Sequence, residues 1–345
     1  MPASLLDLPS ELINHIIHLV LIYEDTPRPC PEPPYEYHVS WYRDSHDCLT
    51  QNAFGPKHVK YWKGQERRHK RWFSNPLALL LVNRRISQMT RWRLDRLPRS
   101  CALDVMLLGE TYLLPTWISL PAPCRQIEDL TATIRIVGNS LTLNGRQHRF
   151  YPGEEGSPPL ILWSFYYLLE RFLEVGPLAE HRQPEPRPRL KRMPFTINRL
   201  TLNCVSCPQK YKVAPPDMSI WTWMEGSNSD TEPAGRYEGV LFLLMRPDWL
   251  ARLINEYIGY LLGMDSDMAL YGAMLYEYVG SIRVCIDGEV LKEYHLDRRL
   301  KDLNYTSLGD VHGDSWRQTR WLPPFAQWKK RVGCARARAG LPVLS

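Results

Sequence analysis

Two cysteines separated by two residues form the spacing that is chemically most suggestive, because thiolates so placed bind zinc or form redox disulfides. Cys204 and Cys207 lie at the end of a predicted strand. A structural zinc site needs four ligands, and no second CxxC or HxxxH follows at the spacing of a zinc finger. A redox pair would open a helix, whereas Pro208 follows here. We therefore interpret both cysteines, like the rest of the eight in the chain, as reduced and inert.

Histidine and serine side chains give weaker indications of chemistry. His15 and His18 lie three residues apart on a predicted helix, but no third metal ligand is evident, so we assign both to its polar side. His312, Asp314 and Ser315 combine the residue types of a catalytic triad, although adjacency in sequence does not create relay geometry. The sequence contains no HExxH, GxSxG, GxGxxG or GxxxxGKS/T motif. We predict no catalytic residue, no cofactor and no metal, and hence no enzyme.

The first element that must position a functional surface is the segment from Leu5 to Leu21, whose pattern predicts an amphipathic helix. Pro9 suits a first helical position, and Glu11 would lie in the first turn, at the positive end of the helix dipole. Three- and four-residue steps form one apolar stripe of Leu12, Ile13, Ile16, Ile17 and Val20. This stripe either docks on the core of the chain or leaves part of its width for a partner protein.

A second helix is predicted from about Ser74 to Leu94. Asn75 suits its N-cap and Pro76 its first helical position. Its first half holds the run LALLLVNRRI, which is apolar at the start and basic afterwards. Between the two helices lies an insertion, residues 24–75, which opens rich in proline and becomes aromatic and basic over 57–72.

Together, the two helical segments resemble the halves of an F-box. The matching residues are Leu8, Pro9, Glu11, Leu12, Ile16, Ile17 and Val20 in the first half, and Val82, Arg84 and Arg85 in the second. Asn83 stands where the family often has Cys or Ser, and Ile86 where it often has an aromatic residue. The long Pro-rich insertion is similar to that of F-box-like proteins common in filamentous fungi. The resemblance covers roughly the first quarter of the chain.

The F-box resemblance implies a substrate receptor. The N-terminal helices would bind a Skp-type adaptor of a cullin-based ubiquitin ligase, and the remaining domain would hold a protein substrate. Four residues match the positions that meet the adaptor in the family: Leu8, Pro9, Leu12 and Ile16. The alternative is an F-box-like interaction or scaffold protein that never meets the ligase, with the first helix packed permanently inward.

The charge of the chain is uneven. Residues 315–345 hold seven Arg and Lys and no acid, whereas the body before them is almost neutral. A nucleic-acid-binding protein that uses this segment and the stretch 57–72 is a further alternative, but we favour a solvated loop for that stretch and no nucleic-acid partner. We expect 315–345 to be a peripheral basic tail, in which Lys329, Lys330 and Arg331 could signal nuclear import.

Composition indicates a globular protein of the cell interior. Hydrophobic residues make up 44% of the chain and charged residues 23%. No apolar run reaches the ~20 residues of a membrane-spanning helix. Asp7 and Glu11 interrupt any signal-peptide pattern at the N-terminus. We therefore expect an intracellular protein of the cytoplasm or nucleus, without membrane contact.

Beyond residue 98 the pattern changes from helical steps to alternation, and strands and helices then follow in turn. The predicted fold class is α+β, with an N-terminal helical F-box-like element packed on a mixed β-sheet that has covering helices. Three regions follow from this division. They are the F-box-like region 1–97 with its insertion 24–75, a substrate-binding domain 98–314, and the basic tail 315–345.

Three predicted strands share one spacing of apolar residues. The sets are Ile127, Leu130, Ala132, Ile134; Ile197, Leu200, Leu202, Cys204; and Val279, Ile282, Val284, Ile286. This spacing is weakly similar to that of leucine-rich-repeat strands. It predicts parallel neighbours with helices between them, and chance alternation in three ordinary strands is the alternative.

Two turns and one aromatic segment complete the predictions. Asn144-Gly145 and Asp287-Gly288 are predicted two-residue hairpin turns, and the second would place Val284 opposite Leu291. The segment WTWME, residues 221–225, is predicted to lie in a long loop. Its two tryptophans either form a binding surface or fill the core beneath the loop.

Overall fold

The structure is a computed structural model that describes residues 7–27, 75–110, 112–120, 124–138, 150, 159–176, 195–206, 212–225, 243–264, 269–304 and 315–344. Several predicted features lie outside these residues: the Asn144-Gly145 turn, the basic stretch 57–72, Cys207 and the His312–Asp314 pair.

After an all-helical start, the described chain combines strands and helices. The helices are α1 Ser10–Leu21, α2 Asn75–Val82, α3 Arg84–Leu94, α4 Leu160–Val175, α5 Ile220–Glu225, α6 Pro247–Gly263, α7 Ala269–Tyr278, α8 Leu296–Asp302 and α9 Ser315–Arg338. The strands are β1 Ser100–Leu108, β2 Tyr112–Ser119, β3 Gln126–Val137, β4 Thr196–Val205, β5 Val279–Ile286 and β6 Glu289–His295.

The six strands form one mixed sheet in the order β2-β1-β3-β4-β5-β6. β1, β3, β4 and β5 run parallel to one another, while β2 pairs antiparallel with β1 and β6 antiparallel with β5 at the two edges. Parallel strands need long crossovers, and the helices α4, α6 and α7 lie in the crossovers here. The predicted mixed sheet with accompanying helices is therefore confirmed.

The shared apolar spacing of three strands is the register of this sheet. Ile127 pairs with Ile197 and Ile197 with Val279, so one row crosses β3, β4 and β5. The next rows follow the same order, through Leu130, Leu200 and Ile282 and through Ala132, Leu202 and Val284. The predicted parallel neighbours are confirmed, and the resemblance to leucine-rich-repeat strands stays a prediction. These rows belong to the main core, which also contains residues of α4 and α6.

A charged pair joins the adjacent strands β1 and β3. Asp104 on β1 is buried, and its two carboxylate oxygens accept hydrogen bonds from Nε and Nη2 of Arg135 on β3 at 2.5 and 2.6 Å. This bidentate geometry satisfies a carboxylate that would otherwise be costly to bury.

The hairpin between β5 and β6 contains the predicted Asp287-Gly288 turn. Both residues have positive φ, +48° and +89°, as the predicted type of turn requires. The predicted pairing of Val284 with Leu291 is wrong, because the register shifts between Val284 and Cys285 and Val284 pairs with Lys292. The Asp287 carboxylate also accepts hydrogen bonds from the Ser206 N–H and hydroxyl, both at 2.7 Å, which ties the turn to the end of β4.

The predicted single helix from Ser74 to Leu94 is wrong, since it is divided into α2 and α3 at Asn83. Asn83 is extended, with φ −162° and ψ 172°, and its side-chain oxygen accepts a hydrogen bond from the Ile86 N–H at 2.9 Å. Asn is a favoured N-cap because its side chain can satisfy such an N–H. The residue that departs from the F-box pattern thus starts a new helix.

The basic C-terminal segment does not lie wholly apart from the core, and the prediction of a peripheral tail is corrected for α9. Val332 and Arg336 are buried, and Arg336 donates from Nη1 to the carbonyl oxygens of Tyr276 and Val279 at 2.5 and 2.8 Å. A third bond joins its Nε to the Pro342 carbonyl at 3.0 Å. Carbonyl groups at the junction of α7 and β5 thus accept hydrogen bonds from the guanidinium of Arg336, which the basic sequence pattern predicts at the protein surface.

The aromatic segment 221–225 belongs to the short helix α5, so its prediction as a loop is wrong. Trp223 is buried, and its Nε1 donates a hydrogen bond to the Leu243 carbonyl at 2.9 Å. Trp221 is exposed. The two tryptophans therefore divide between the alternatives, with Trp223 in the core and Trp221 at the surface.

Candidate partner-binding surface

The first helix begins immediately after Pro9, which occupies the N-cap and not the first helical position. Its φ of −52° and ψ of 147° set the direction in which the chain enters α1. Ser10 accepts a hydrogen bond at its hydroxyl oxygen from Nη2 of Arg85 at 3.0 Å, which links the first turn of α1 to the first turn of α3. The two segments with the F-box-like pattern are thus held together across the insertion.

The inner side of α1 is a stripe of buried residues at four-residue steps, Ile13, Ile17 and Leu21. It packs on Ile86 of α3, and the half-buried side chains around this small core are Leu8, Leu79, Met89, Leu94 and Leu97. The apolar stripes of the two helical segments predict that these segments pack together despite the insertion, and this contact is present. This cluster is separate from the main core of the sheet.

The sequence pattern predicts that Ile13, Ile17 and Val20 turn inward against Leu77, Leu81 and Val82, and this prediction is partly wrong. Leu81 and Val82 are 76% and 59% exposed, so they do not cover α1. The helix break at Asn83 changes the direction of the chain, and Ile86 on α3 packs against the inner stripe instead. Leu21 is buried where Val20 was expected, because a side chain that faces α3 must continue the four-residue row of Ile13 and Ile17.

The outer side of α1 carries a second apolar stripe, which we call the outer stripe: Leu12, Ile16 and Leu19. Their exposed fractions are 50%, 37% and 51%. The steps of four and three residues place them on one face of the helix. Tyr23, just beyond the helix, is also exposed. An apolar row left open to solvent beside a filled core is typical of a surface that binds a protein.

The four residues predicted to meet a partner have different surroundings. Leu12 and Ile16 belong to the outer stripe, and Pro9 is exposed where the chain enters the helix. Leu8 is half-buried and packs against the inner cluster. The sequence reasoning missed Leu19, although its three-residue step from Ile16 is the signal that identifies it.

The second half of this helical unit presents positive charge. The sequence of α3, RRISQMTRWRL, contains four arginines and no acid. Trp92 is exposed, and the guanidinium of Arg96 lies 4.0 Å from its ring centroid, with that of Arg93 at 5.0 Å. These distances are those of cation–π contacts. A partner that covers α3 as well as the outer stripe would need acidic groups.

Within the part of the chain that the structure describes, the residues considered for chemistry do not form a site. His15 is exposed and His18 half-buried on α1, and no cluster of three potential metal ligands occurs within the described ranges. Burial raises the pKa of the Cys204 thiol to about 12, so this thiol stays protonated at neutral pH. Cys101 behaves alike, since burial raises the pKa of its thiol to about 12.

Comparisons with known proteins give no information on this surface. No protein-family model matches the chain, and neither the curated proteins nor the solved structures gave a match. Among the helices that the structure describes, none is both long and apolar enough to cross a lipid bilayer.

Proposed function

We propose that this protein is an F-box-like substrate receptor, in which the outer stripe of α1 binds a Skp-type adaptor and the sheet domain holds a protein substrate. The observation that carries the proposal is the two-sided character of α1. Its inner stripe is buried on α3, while Leu12 and Ile16, two of the family's adaptor positions, are open to solvent.

Burial of the outer stripe on a partner would contribute substantially to the free energy of binding. Full burial of a Leu or Ile side chain contributes about 1.5–3 kcal/mol. Because the outer-stripe residues are already partly covered, burying the three of them on a partner would contribute roughly 2–4 kcal/mol. That amount can dominate a small interface, although association must also offset the loss of translational freedom. Pro9 limits the ordering cost because its ring fixes φ.

The scaffold alternative differs in what covers the outer stripe. It requires α1 to be packed inward on both sides, and the described residues cover only the inner side. The nucleic-acid alternative would use the cations of the C-terminal segment. Two of these already bind carbonyl groups, since Arg336 is buried and Lys329 donates to the Lys301 and Leu303 oxygens at 2.7 and 2.9 Å. The observations therefore favour a protein partner.

A binding measurement with purified Skp-type adaptor tests the proposal. The full chain should bind the adaptor, and the double change Leu12→Glu with Ile16→Glu should weaken binding at least tenfold, because it places two charges in an apolar interface. Glu11→Gln is the matched control and should bind like the wild type, because Glu11 is exposed on the same helix and lies at neither a three- nor a four-residue step from any residue of the outer stripe. Leu8→Ala is a poorer probe, since Leu8 also packs against the inner cluster.

Thermal unfolding of the same variants separates binding from folding. Both changed residues are at least one-third exposed, so the double variant should unfold close to the wild-type temperature. Failure of the wild type to bind the adaptor, or undiminished binding by the double variant, would reject the ligase role.

A further inference from the structure

Three arginines from separate parts of the chain meet at one edge of the sheet. This is the edge where β1, β3, β4 and β5 begin, since these strands run parallel to one another. Arg99 immediately precedes β1, and Arg125 immediately precedes β3. Gln126, the first residue of β3, donates a hydrogen bond from Nε2 to the Ala339 carbonyl at 2.8 Å, which brings Arg338, the last residue of α9, to the same edge. We call Arg99, Arg125 and Arg338 the basic end of the sheet.

Backbone hydrogen bonds hold the segments that carry two of these arginines. The Arg99 carbonyl accepts a hydrogen bond from the Glu128 N–H of β3 at 2.9 Å. The Arg125 carbonyl accepts one from the Thr196 N–H of β4, also at 2.9 Å. The fold therefore gathers the three cations, and no run of basic residues in the sequence accounts for them.

The three guanidinium groups are available to a ligand. Each arginine is exposed, and none forms an ion pair or a side-chain hydrogen bond with a residue in the described part of the chain. Arg199 on β4, near the same edge, is by contrast already paired, since its Nη1 donates to Asp129 at 3.0 Å. Cations gathered without ion-pair partners repel one another, and an anion that bound all three would remove this repulsion.

One carboxylate at this edge restricts the kind of anion that fits. Glu128 is exposed, and it lies beside Arg99 and three residues from Arg125. A nucleic acid carries a phosphate at every nucleotide, so part of its charge would meet Glu128. A protein segment can place carboxylates opposite the arginines and an uncharged residue opposite Glu128. The described residues of this edge also include no aromatic side chain on which bases could stack, over 99–101, 124–129, 196–199 and 338–340.

We propose that the basic end binds an acidic segment of a protein partner, whose carboxylates pair with Arg99, Arg125 and Arg338. Guanidinium groups suit this role, because their N–H donors match the two oxygens of a carboxylate. The identification of that partner as the substrate rests on the proposed function, in which the sheet domain holds the substrate. The substrate class is then a protein with an exposed acidic segment. The basic end contains no residue of the outer stripe.

Fluorescence anisotropy of the full chain with a labelled oligo-glutamate peptide tests this assignment. The peptide should bind saturably, and its affinity should fall as salt is added, because the arginines are exposed to solvent. An oligo-serine peptide of the same length should not bind, and a thymidine oligonucleotide of the same length should bind less tightly than oligo-glutamate. Absence of saturable binding by oligo-glutamate would overturn the proposal. Tighter binding of the oligonucleotide would overturn the assignment to a protein partner.

A triple variant locates the binding at the basic end. Arg99→Gln, Arg125→Gln and Arg338→Gln together should weaken binding of oligo-glutamate about 3- to 160-fold, the range expected for the loss of three solvent-exposed ion pairs. The variant should unfold close to the wild-type temperature, since all three side chains are exposed. Undiminished binding by the triple variant would refute the role of these arginines.

Arg252→Gln is the matched control and should bind oligo-glutamate like the wild type. Arg252 is exposed in the second turn of α6, and this helix begins near the opposite edge of the sheet. There the Met245 N–H, just before α6, donates a hydrogen bond to the Glu110 carboxylate, just beyond the end of β1. A loss of binding in Arg252→Gln as large as that in the triple variant would mean that overall charge, and not the basic end, binds the peptide.

Two further measurements separate this inference from the adaptor proposal. The triple variant should bind the Skp-type adaptor like the wild type, and Leu12→Glu with Ile16→Glu should bind oligo-glutamate like the wild type. If the wild type bound oligo-glutamate but not the adaptor, the ligase role would be rejected and the basic end retained. If it bound the adaptor but not oligo-glutamate, only the basic end would be rejected.

Discussion

The N-terminal helices and the sheet domain both bury apolar side chains, but the core of the helices is much smaller than that of the sheet domain. In α1 and α3, Ile13, Ile17, Leu21 and Ile86 form a small separate core, and the outer stripe of α1 is left open. In the sheet domain, rows of apolar residues cross parallel strands and are covered by long helices. A small core leaves little stability to spare, and the three apolar side chains of the outer stripe add nothing to that core.

The connection between the two regions supports the small unit. After α1, the Asp25 N–H donates a hydrogen bond to the Ile118 carbonyl on the edge strand β2 at 2.7 Å. After α3, the chain enters β1 at Ser100, beside β2 in the sheet. The N-terminal helices are thus connected to the sheet domain at both of these points, while their apolar core remains separate from the main core. We expect them to open at lower free energy than the sheet domain.

The sharpest test of this difference removes the same atoms from each core. Ile17→Ala and Ile197→Ala both delete three carbons from a buried side chain, a loss of about 2–5 kcal/mol of local packing. Ile197→Ala should lower the free energy of unfolding of the sheet domain by that amount in denaturant titrations. Ile17→Ala should leave this main transition almost unchanged and increase hydrogen exchange in α1 and α3. An equal shift of the main transition by both variants would mean that the two regions unfold together.

The buried Arg336 tests whether the basic C-terminal helix belongs to the sheet domain. Arg336→Met keeps much of the apolar stem but leaves the carbonyl oxygens of Tyr276, Val279 and Pro342 without this donor. Hydrogen bonds to a charged group are worth about 1.5–3 kcal/mol, so we expect a loss of about 2–4 kcal/mol from the main transition.

Arg338→Met is the matched control for this change, because Arg338 lies two residues further along the same helix and is exposed. It should change the free energy of unfolding by less than about 0.5 kcal/mol. Similar effects of the two variants would indicate that the C-terminal helix is peripheral to the sheet domain, as the charge pattern of the sequence predicts.

The turn between β5 and β6 gives a smaller effect that belongs to the sheet domain alone. Both Gly288 and Gly263 have room for a Cβ, but only Gly288 has positive φ, +89°. Gly288→Val should therefore cost about 1–2 kcal/mol through backbone strain, and Gly263→Val at the end of α6 should be nearly neutral. Urea titration measures both, and equal losses would show that side-chain crowding and not the backbone sets the cost.

Much of the sheet domain could be predicted from the sequence because its signals are local or repeat along the chain. The spacing of Ile127, Leu130 and Ala132 anticipated the parallel register. The apolar content of 160–175, with Gly176 after it, and of 247–262, which opens with Pro247, predicts the long helices α4 and α6. The Asp287-Gly288 turn followed from backbone chemistry alone.

The incorrect predictions concern features that depend on partners distant in the sequence. The register shift near Val284 depends on how β6 meets β5, and hairpin pattern alone does not specify it. Arg336 is buried because carbonyl groups almost 60 residues away accept its hydrogen bonds. The inner and outer sides of α1 could be separated only once α3 was placed.

The smallest expected effect is the one that most directly tests the two-sided helix. Leu12→Ala and Ile16→Ala remove side chains of the outer stripe, which are 50% and 37% exposed. Truncation of such partly covered side chains should cost less than about 1 kcal/mol, because it leaves no cavity and loses little burial. Ile13→Ala, one residue from Leu12 but fully buried on α3, is the control and should markedly increase hydrogen exchange across α1. If Leu12→Ala loosened the helices as strongly as Ile13→Ala, the rest of the chain would have to cover the outer stripe. The inward-packed scaffold would then explain the N-terminal helices better than the substrate receptor does.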